Sequence, residues 1–309
     1  MNKEELNIFL KHENYYKNDS TLINNPKPLE DQGEPFICFH YDSQEDLEYS
    51  IIIPVHNQEE IICTNILSVI YNVVGEFEII IVFDNCTDSS EERVVERFRN
   101  FDFRKTELKR FICISQPTPI FETSCENIGF RISKGKYVMN LQSDMRIMTY
   151  AFNYILSNPF RKYEDVFSVS GRCTHEWPFY GKGFGKIGEM IERPLSLDFT
   201  QMNKFFIMDT SNRPLMFLKS RLEELGYLDE SNFVLGDDDH DINMRAKIQK
   251  NWITGYVPIE FYSPLSHGTM RKGMNNENKI VYEKRLKRRN NPFLFTNTIN
   301  RKSLEIREL

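Results

Sequence analysis

Four groups of polar side chains in this 309-residue chain carry residue types and spacings that chemistry can use. The densest is Gly236-Asp237-Asp238-Asp239-His240-Asp241, with Arg245 one turn further on. Acidic residues suit the first turn of a helix, where the dipole tolerates anions. Capping accounts for one carboxylate but not for four in five positions, because their repulsion needs a cation or a buried positive partner. Crowding also raises the pKa of one member, which suits a general base. The other three groups are His56-Asn57-Gln58-Glu59, Asp84-Asn85-Cys86-Thr87-Asp88 and Gln142-Ser143-Asp144, and each follows an apolar run. Any one of them alone reads as a turn or helix cap; three in succession weaken that reading.

Asp84 is suited to accept hydrogen bonds from the edge of a base or from a ribose. Asp144 is a hard oxygen ligand of the kind that holds Mg2+ or Mn2+ against phosphates, and such an ion neutralises charge growing on a diphosphate leaving group. His267, in SPLSHGTMRKG, is either a structural or solvated histidine or an additional metal ligand. On the second reading Arg271 and Lys272 face the pyrophosphate. Trp177, Phe179 and Tyr180 either stack on a sugar ring or pack within a loop.

Two look-alike motifs fail. Asp237-x-Asp239-x-Asp241 resembles the start of a calcium-binding EF-hand loop. Its glycine position is Ile242 and its closing glutamate position is Ile248, so the loop cannot form. Gly183-x-Gly185-x-x-Gly188 satisfies a dinucleotide pattern, but no strand precedes it; it reads as a mobile loop near the acceptor.

The elements that must hold these groups are legible as alternating patterns. Ser50–Val55 and Phe77–Phe83 are β-branched or aromatic runs typical of strands buried on both faces. Arg110–Ser115 and Tyr137–Leu141 continue the series. Between them, Glu59–Val74 and Ser90–Phe101 have helical periodicity, and Asn127–Lys134 reads as a short helix closed by Gly135. This alternation predicts a mostly parallel sheet built from right-handed βαβ units. In such a sheet ligands bind beyond the carboxyl ends of the strands. Beyond Asp144 the pattern is irregular, with helices predicted at Lys219–Gly226 and His240–Lys250 and a last core strand at Gly255–Phe261.

The expected organisation is an N-terminal extension over 1–48, one α/β domain over 49–265, and a basic C-terminal segment over 266–309. Within the domain, 49–146 forms the nucleotide half and 147–265 the acceptor half. The chain carries a net charge of −6, which gives no reason to expect nucleic acid. That charge is uneven, with −7 over 1–48 and +7 over 266–309. Lys284-Arg285-Leu286-Lys287-Arg288-Arg289 is either a solvated helix surface or a contact with anionic lipid or a phosphorylated acceptor. Six dispersed cysteines lack C-x-x-C spacing, so reduced thiols and a cytoplasmic location are expected. Apolar runs of seven residues are too short to span a membrane.

YSIIIPVHNQEE, IIIVFDNCTDSS and ENIGFRISKGKYVMNLQSDMRI resemble the first half of family 2 glycosyltransferases with the Rossmann-like GT-A fold. SNRPLMFLKSRLEELGYLDESNFVLGDDDHDINMRA resembles that family's second signature, and the resemblance runs from Tyr49 to about Gly273. It implies an inverting transfer of sugar from a nucleotide-diphosphate sugar, with UDP favoured, to a hydroxyl of a glycan, lipid-linked or protein acceptor. It implies that Pro54, His56 and Asn57 line the nucleotide and Asp84 contacts the base, with Glu59, Asn127, Ser143 and Arg271 on the same nucleotide-sugar side. Asp144 takes the last position of the metal motif, for Mn2+ or Mg2+, with His267 as helper. Asp239 falls on the catalytic base and Asp238 beside it, with Trp177, Asp241 and Arg245 on the acceptor side. Two departures stand out: Gln142 replaces the first aspartate of the metal motif, and Asp238 replaces a glutamate. A sugar-binding protein that keeps the fold without activity is the alternative from another class. A sugar-phosphate nucleotidyltransferase is disfavoured, because His56-Asn57-Gln58-Glu59 is acidic and lacks the glycine of a phosphate loop.

Overall fold

The computed structural model describes residues 34–43, 47–171, 203–208, 211–263 and 305–309, with short backbone stretches at 186–187, 191–192 and between 276 and 283. In chain order the first elements are β1 (Phe36–Asp42), β2 (Tyr49–Val55), α1 (Ile62–Asn72), β3 (Phe77–Asp84), α2 (Ser90–Arg99), β4 (Leu108–Gln116), α3 (Phe121–Ile132) and β5 (Tyr137–Asn140). Then come β6 (Arg146–Ile147), α4 (Phe152–Lys162), β7 (Val166–Ser170), β8 (Lys186–Ile187), β9 (Ile191–Glu192), β10 (Lys204–Met208) and β11 (Leu215–Leu218). The last are α5 (Lys219–Glu224), α6 (Asp238–Lys250), β12 (Ile253–Tyr256), β13 (Phe261–Tyr262) and β14 (Ile306–Glu308).

Ten strands form one sheet in the order β1-β4-β3-β2-β5-β11-β7-β12-β10-β14. Its N-terminal half is the parallel unit that the alternating pattern predicts, since β4, β3, β2 and β5 pair parallel along their length. In the second half β11 runs antiparallel to both β5 and β7, while β12 pairs parallel with β7. A smaller sheet orders β6-β13-β9-β8.

Helices cover both faces of the large sheet, which explains why β2 and β3 are buried at every position. On one face Ile51, Ile53 and Ile79 pack with Ile66 of α1, Phe98 of α2 and Leu156 of α4. On the other, Ile52, Ile80 and Val82 pack with Ile128 of α3, Leu222 of α5 and Ile242 of α6. Alternate side chains of a strand point to opposite faces, so a run of isoleucines feeds two cores at once. Away from the carboxyl edge, buried Arg110 pairs with Glu78 and, at 3.4 Å, with Asp42, tying β4 to β3 and β1.

The structure departs from the sequence expectations in four places. The helix expected at Asn127 begins at Phe121. The strand expected over Gly255–Phe261 divides into β12 and β13. The segment read as an N-terminal extension supplies β1, which runs antiparallel to β4. The basic C-terminal segment supplies β14, which pairs antiparallel with β10. Both flanks therefore belong to the same sheet as the domain between them. The described cysteines, Cys38, Cys63, Cys86, Cys113 and Cys125, are free thiols, as their spacing predicts.

Candidate active site

Beyond the carboxyl ends of β2, β3 and β5 the chain folds into polar turns, and helix α3 begins among them. After β2, the His56 ring donates from Nδ1 to the Asp84 carbonyl oxygen at 2.7 Å. Asn57 has a left-handed backbone (φ +52°). Its side-chain oxygen accepts the Thr87 and Asp88 amides at 2.8 and 3.3 Å, so the β2 turn is locked to the β3 turn. Glu59 accepts the Ser89 amide at 3.0 Å, and its own amide donates to Asp88 at 3.1 Å. Pro54 is buried at the end of β2.

Asp84 is 1% exposed, and its carboxylate accepts the backbone amides of Ile120 and Phe121 at 2.7 and 3.0 Å. It thus fastens the start of α3 to the end of β3, supplying a cap across the fold that Ile120 cannot supply itself. Burial pushes the Asp84 carboxyl up to about 6, against the two amides and His56, which pull it down. The expectation that Asp84 contacts a base is narrowed, since both oxygens already accept backbone hydrogen bonds.

From this start, α3 sends polar side chains to three other segments. Glu122 accepts the Gln142 amide at 3.2 Å, in the turn that carries Ser143 and Asp144. The Ser143 carbonyl in turn accepts Asn65 of α1 at 2.7 Å. Thr123 donates to Asp238 at 2.7 Å, at the first turn of α6. Glu126 accepts two hydrogen bonds from Arg213, from Nε at 2.5 Å and Nη2 at 2.6 Å.

Asp238 and Asp239 open α6, at 0% and 5% exposure. Asp237 precedes them in a left-handed conformation, φ +61°. Burial raises the Asp239 carboxyl, while His240 and Arg213 pull it back. Asp239 accepts the His240 amide at 2.8 Å, and the His240 ring lies 2.8 Å from the side-chain oxygen of Asn212. Arg213 is the buried positive partner of two of these crowded carboxylates, and Arg245 is the partner of a third, Asp241. Arg213 lies 2.8 Å from Asp238 and 3.4 Å from Asp239, itself 3% exposed. Left-handed backbones at Asn57, Asn85, Phe121 and Asp237 all fall in these turns, where strain is retained only if the surroundings over-determine it.

Three expected site residues have hydrogen-bond partners within the protein. Asn127 is 0% exposed, and its amide both donates to and accepts from the Leu228 backbone, at 2.9 and 3.1 Å. Asp241 is bound by Arg245 at 2.8 Å. Arg245 also donates to the carbonyls of Leu225 and Tyr227, both at 2.7 Å, so it closes the loop between α5 and α6. Trp177, His267 and Arg271 lie outside the described residues. Glu122, Glu126 and Arg213 were missed by sequence reasoning. The signal for the two glutamates was their four-residue spacing ahead of Asn127; Arg213 had none.

Among the described residues no three His, Cys, Asp or Glu side chains gather as a metal cage would need. Mg2+ commonly binds through one or two carboxylates plus the substrate's own phosphates, and Asp144, partly exposed on its turn, fits that lesser role.

The family model described as Glycosyl transferase family 2 matches residues 50–214, just over half of the chain. No curated protein sequence matches it. Among solved structures, S. aureus TarS in complex with UDP-GlcNAc is similar, with a TM-score of 0.52 and 17% identity over 76% of this chain and 64% of that one. Mannosyltransferase PcManGT from Pyrobaculum calidifontis, in complex with GDP-Man and Mn2+, is similar with a TM-score of 0.51 and 15% identity, over 71% of this chain and 56% of that one. The matched region is thus less than two thirds of either protein, and at these identities the likeness concerns the fold.

Proposed function

The chain belongs to glycosyl transferase family 2, and we propose that it transfers a sugar from a nucleotide-diphosphate sugar to an acceptor hydroxyl with inversion, Asp239 acting as base. The observation that carries this reading is the carboxylate set at the start of α6. Asp239 is buried, raised by that burial, and joined through Arg213 and α3 to the turn that bears Asp144. A raised carboxyl is closer in pKa to the hydroxyl proton it must take, which is what a base near neutral pH needs.

Asp239 removes the acceptor proton as the acceptor oxygen attacks the anomeric carbon. The bond to the diphosphate breaks on the opposite face, and the electron pair leaves with the phosphate oxygen. Asp238, held by Thr123 and Arg213, accepts the Asp239 amide at 2.9 Å and orients its neighbour. The nucleotide lies over the turns after β2 and β3, against Pro54, His56, Asn57 and Glu59, while Asp84 holds the floor of that pocket by anchoring α3. Asp144, with His267 as helper, would hold a divalent cation, whose charge would offset the charge growing on the diphosphate. UDP-sugars are the first donors to test and GDP-sugars the comparison. Trp177 and Arg271 are assigned to the acceptor and the phosphates respectively.

The test compares the wild type with Asp239→Asn on a panel of these donors with Mn2+. Turnover should fall about 10²–10⁴-fold, the usual contribution of a positioned base, with the donor KM unchanged. Full turnover in the variant would remove Asp239 from the reaction.

A further inference from the structure

We propose that Arg213 is the positioning residue for the base: anchored by Glu126, its guanidinium orients Asp238 and Asp239 and places its positive charge beside Asp239. This inference rests on the reading of Asp239 as the base.

The geometry is that of one cation serving four acids. Nε and Nη2 form a fork on Glu126. Nη2 also reaches Asp238 at 2.8 Å, Nη1 lies 3.4 Å from Asp239, and Nε lies 3.6 Å from Glu122. A purely structural arginine would need only the fork. A buried ion pair is weak support for a fold, and apolar replacements of such pairs are often neutral or stabilising. Here the chain crowds two further carboxylates of α6 and one of α3 onto the same guanidinium, all nearly sealed from water. Such an arrangement makes sense if the field of the cation is wanted at Asp239.

Among the described residues, these charged groups face Asp239. From the segment before β11 comes Arg213; from α6 come Asp238 and His240, whose Nε2 is 4.0 Å away; from α3 come Glu122 and Glu126. Burial raises Glu126 to about 8 and also raises Glu122. The guanidinium opposes protonation of each of these carboxyls, Asp239 among them. An opposite charge at this range lowers a carboxyl by roughly one to three pH units.

The experiment uses the full-length protein and measures turnover against pH with a saturating nucleotide-sugar donor. The paired change Arg213→Met with Glu126→Gln removes the cation without leaving its anchor as a buried orphan charge. The acid limb of the profile should move upward by about one pH unit or more, with the donor KM within about twofold. Arg213→Lys keeps the charge but loses the fork; its acid limb should stay in place while kcat falls about tenfold or more. A folded double variant whose acid limb does not move would overturn the proposal, whatever its kcat. If the double variant does not fold, Arg213→Lys decides: wild-type kcat, or a displaced acid limb, overturns it. Asp239→Asn runs alongside, and full activity there would sink the base reading instead, so the two failures are distinguishable.

Discussion

Asp84 shows how one side chain serves site and fold together. Its carboxylate holds two amides at the start of α3, yet it is almost fully buried, and burial lifts it to about 6. The folded form therefore binds a proton more readily than the unfolded chain, whose aspartates titrate near 3.9. By linkage, the contribution of Asp84 to stability is greatest below about pH 4 and declines as pH rises to about 6, by roughly 2–3 kcal/mol. Asp84→Asn has no such titration. Denaturation at several pH values should show wild type losing stability relative to the variant between pH 4 and 6, and a constant difference above pH 7. A constant difference over the whole range would mean that Asp84 titrates normally.

At the scale of elements, the site depends on where α3 sits against the sheet. A Cβ added at Gly129 would meet Ile52 side-chain atoms at 2.3 and 2.7 Å, so the glycine sets how closely α3 approaches β2. Gly129→Ala should cost about 1–3 kcal/mol by overpacking, and it should reduce turnover because Glu122 and Glu126 move with the helix. Adding Ile52→Ala should make the pair less destabilising than the sum of the single changes, which urea denaturation of all three variants would measure.

The strands of the parallel unit were legible because isoleucine runs such as Ile51–Ile53 and Ile79–Ile81 have one reading, a strand buried on both faces. The carboxylates of α6 were legible because their repulsion had to be answered locally or otherwise. The start of α3 was not: Ile120 offers no side-chain cap, Phe121 carries a left-handed backbone, and the cap comes from Asp84 at the end of another strand. Arg213 was invisible for the same reason, since its carboxylates lie 87 and 25 positions away.

For the molecule as a whole, the flanking segments matter more than their composition suggests. β14 has three residues, IRE, and no hydrophobic pattern to read, whereas β1, FICFHYD, is an apolar run that passed as extension because the rest of 1–48 is polar. β14 covers the edge of β10, and Arg307 grips Asp165 at 2.6 and 2.9 Å while lying 4.9 Å over the Tyr163 ring. The Ile207 amide donates to Glu305 at 3.1 Å. Removing 305–309 should open that amide to hydrogen exchange and leave the amides of β2 protected, with increased self-association through the bared edge measurable by light scattering. Unchanged protection at Ile207 would show that the edge is closed some other way.

Helix α3 also works as a gauge between the two halves of the chain. Glu122 faces the Gln142 turn and Glu126 the Arg213 fork, and the two stand four residues, about 6 Å, apart along the axis. Lengthening any loop around them leaves that offset alone. One residue inserted between them would swing one carboxylate about 100° away from the other. The spacing between these two glutamates is therefore fixed by the helix that carries both.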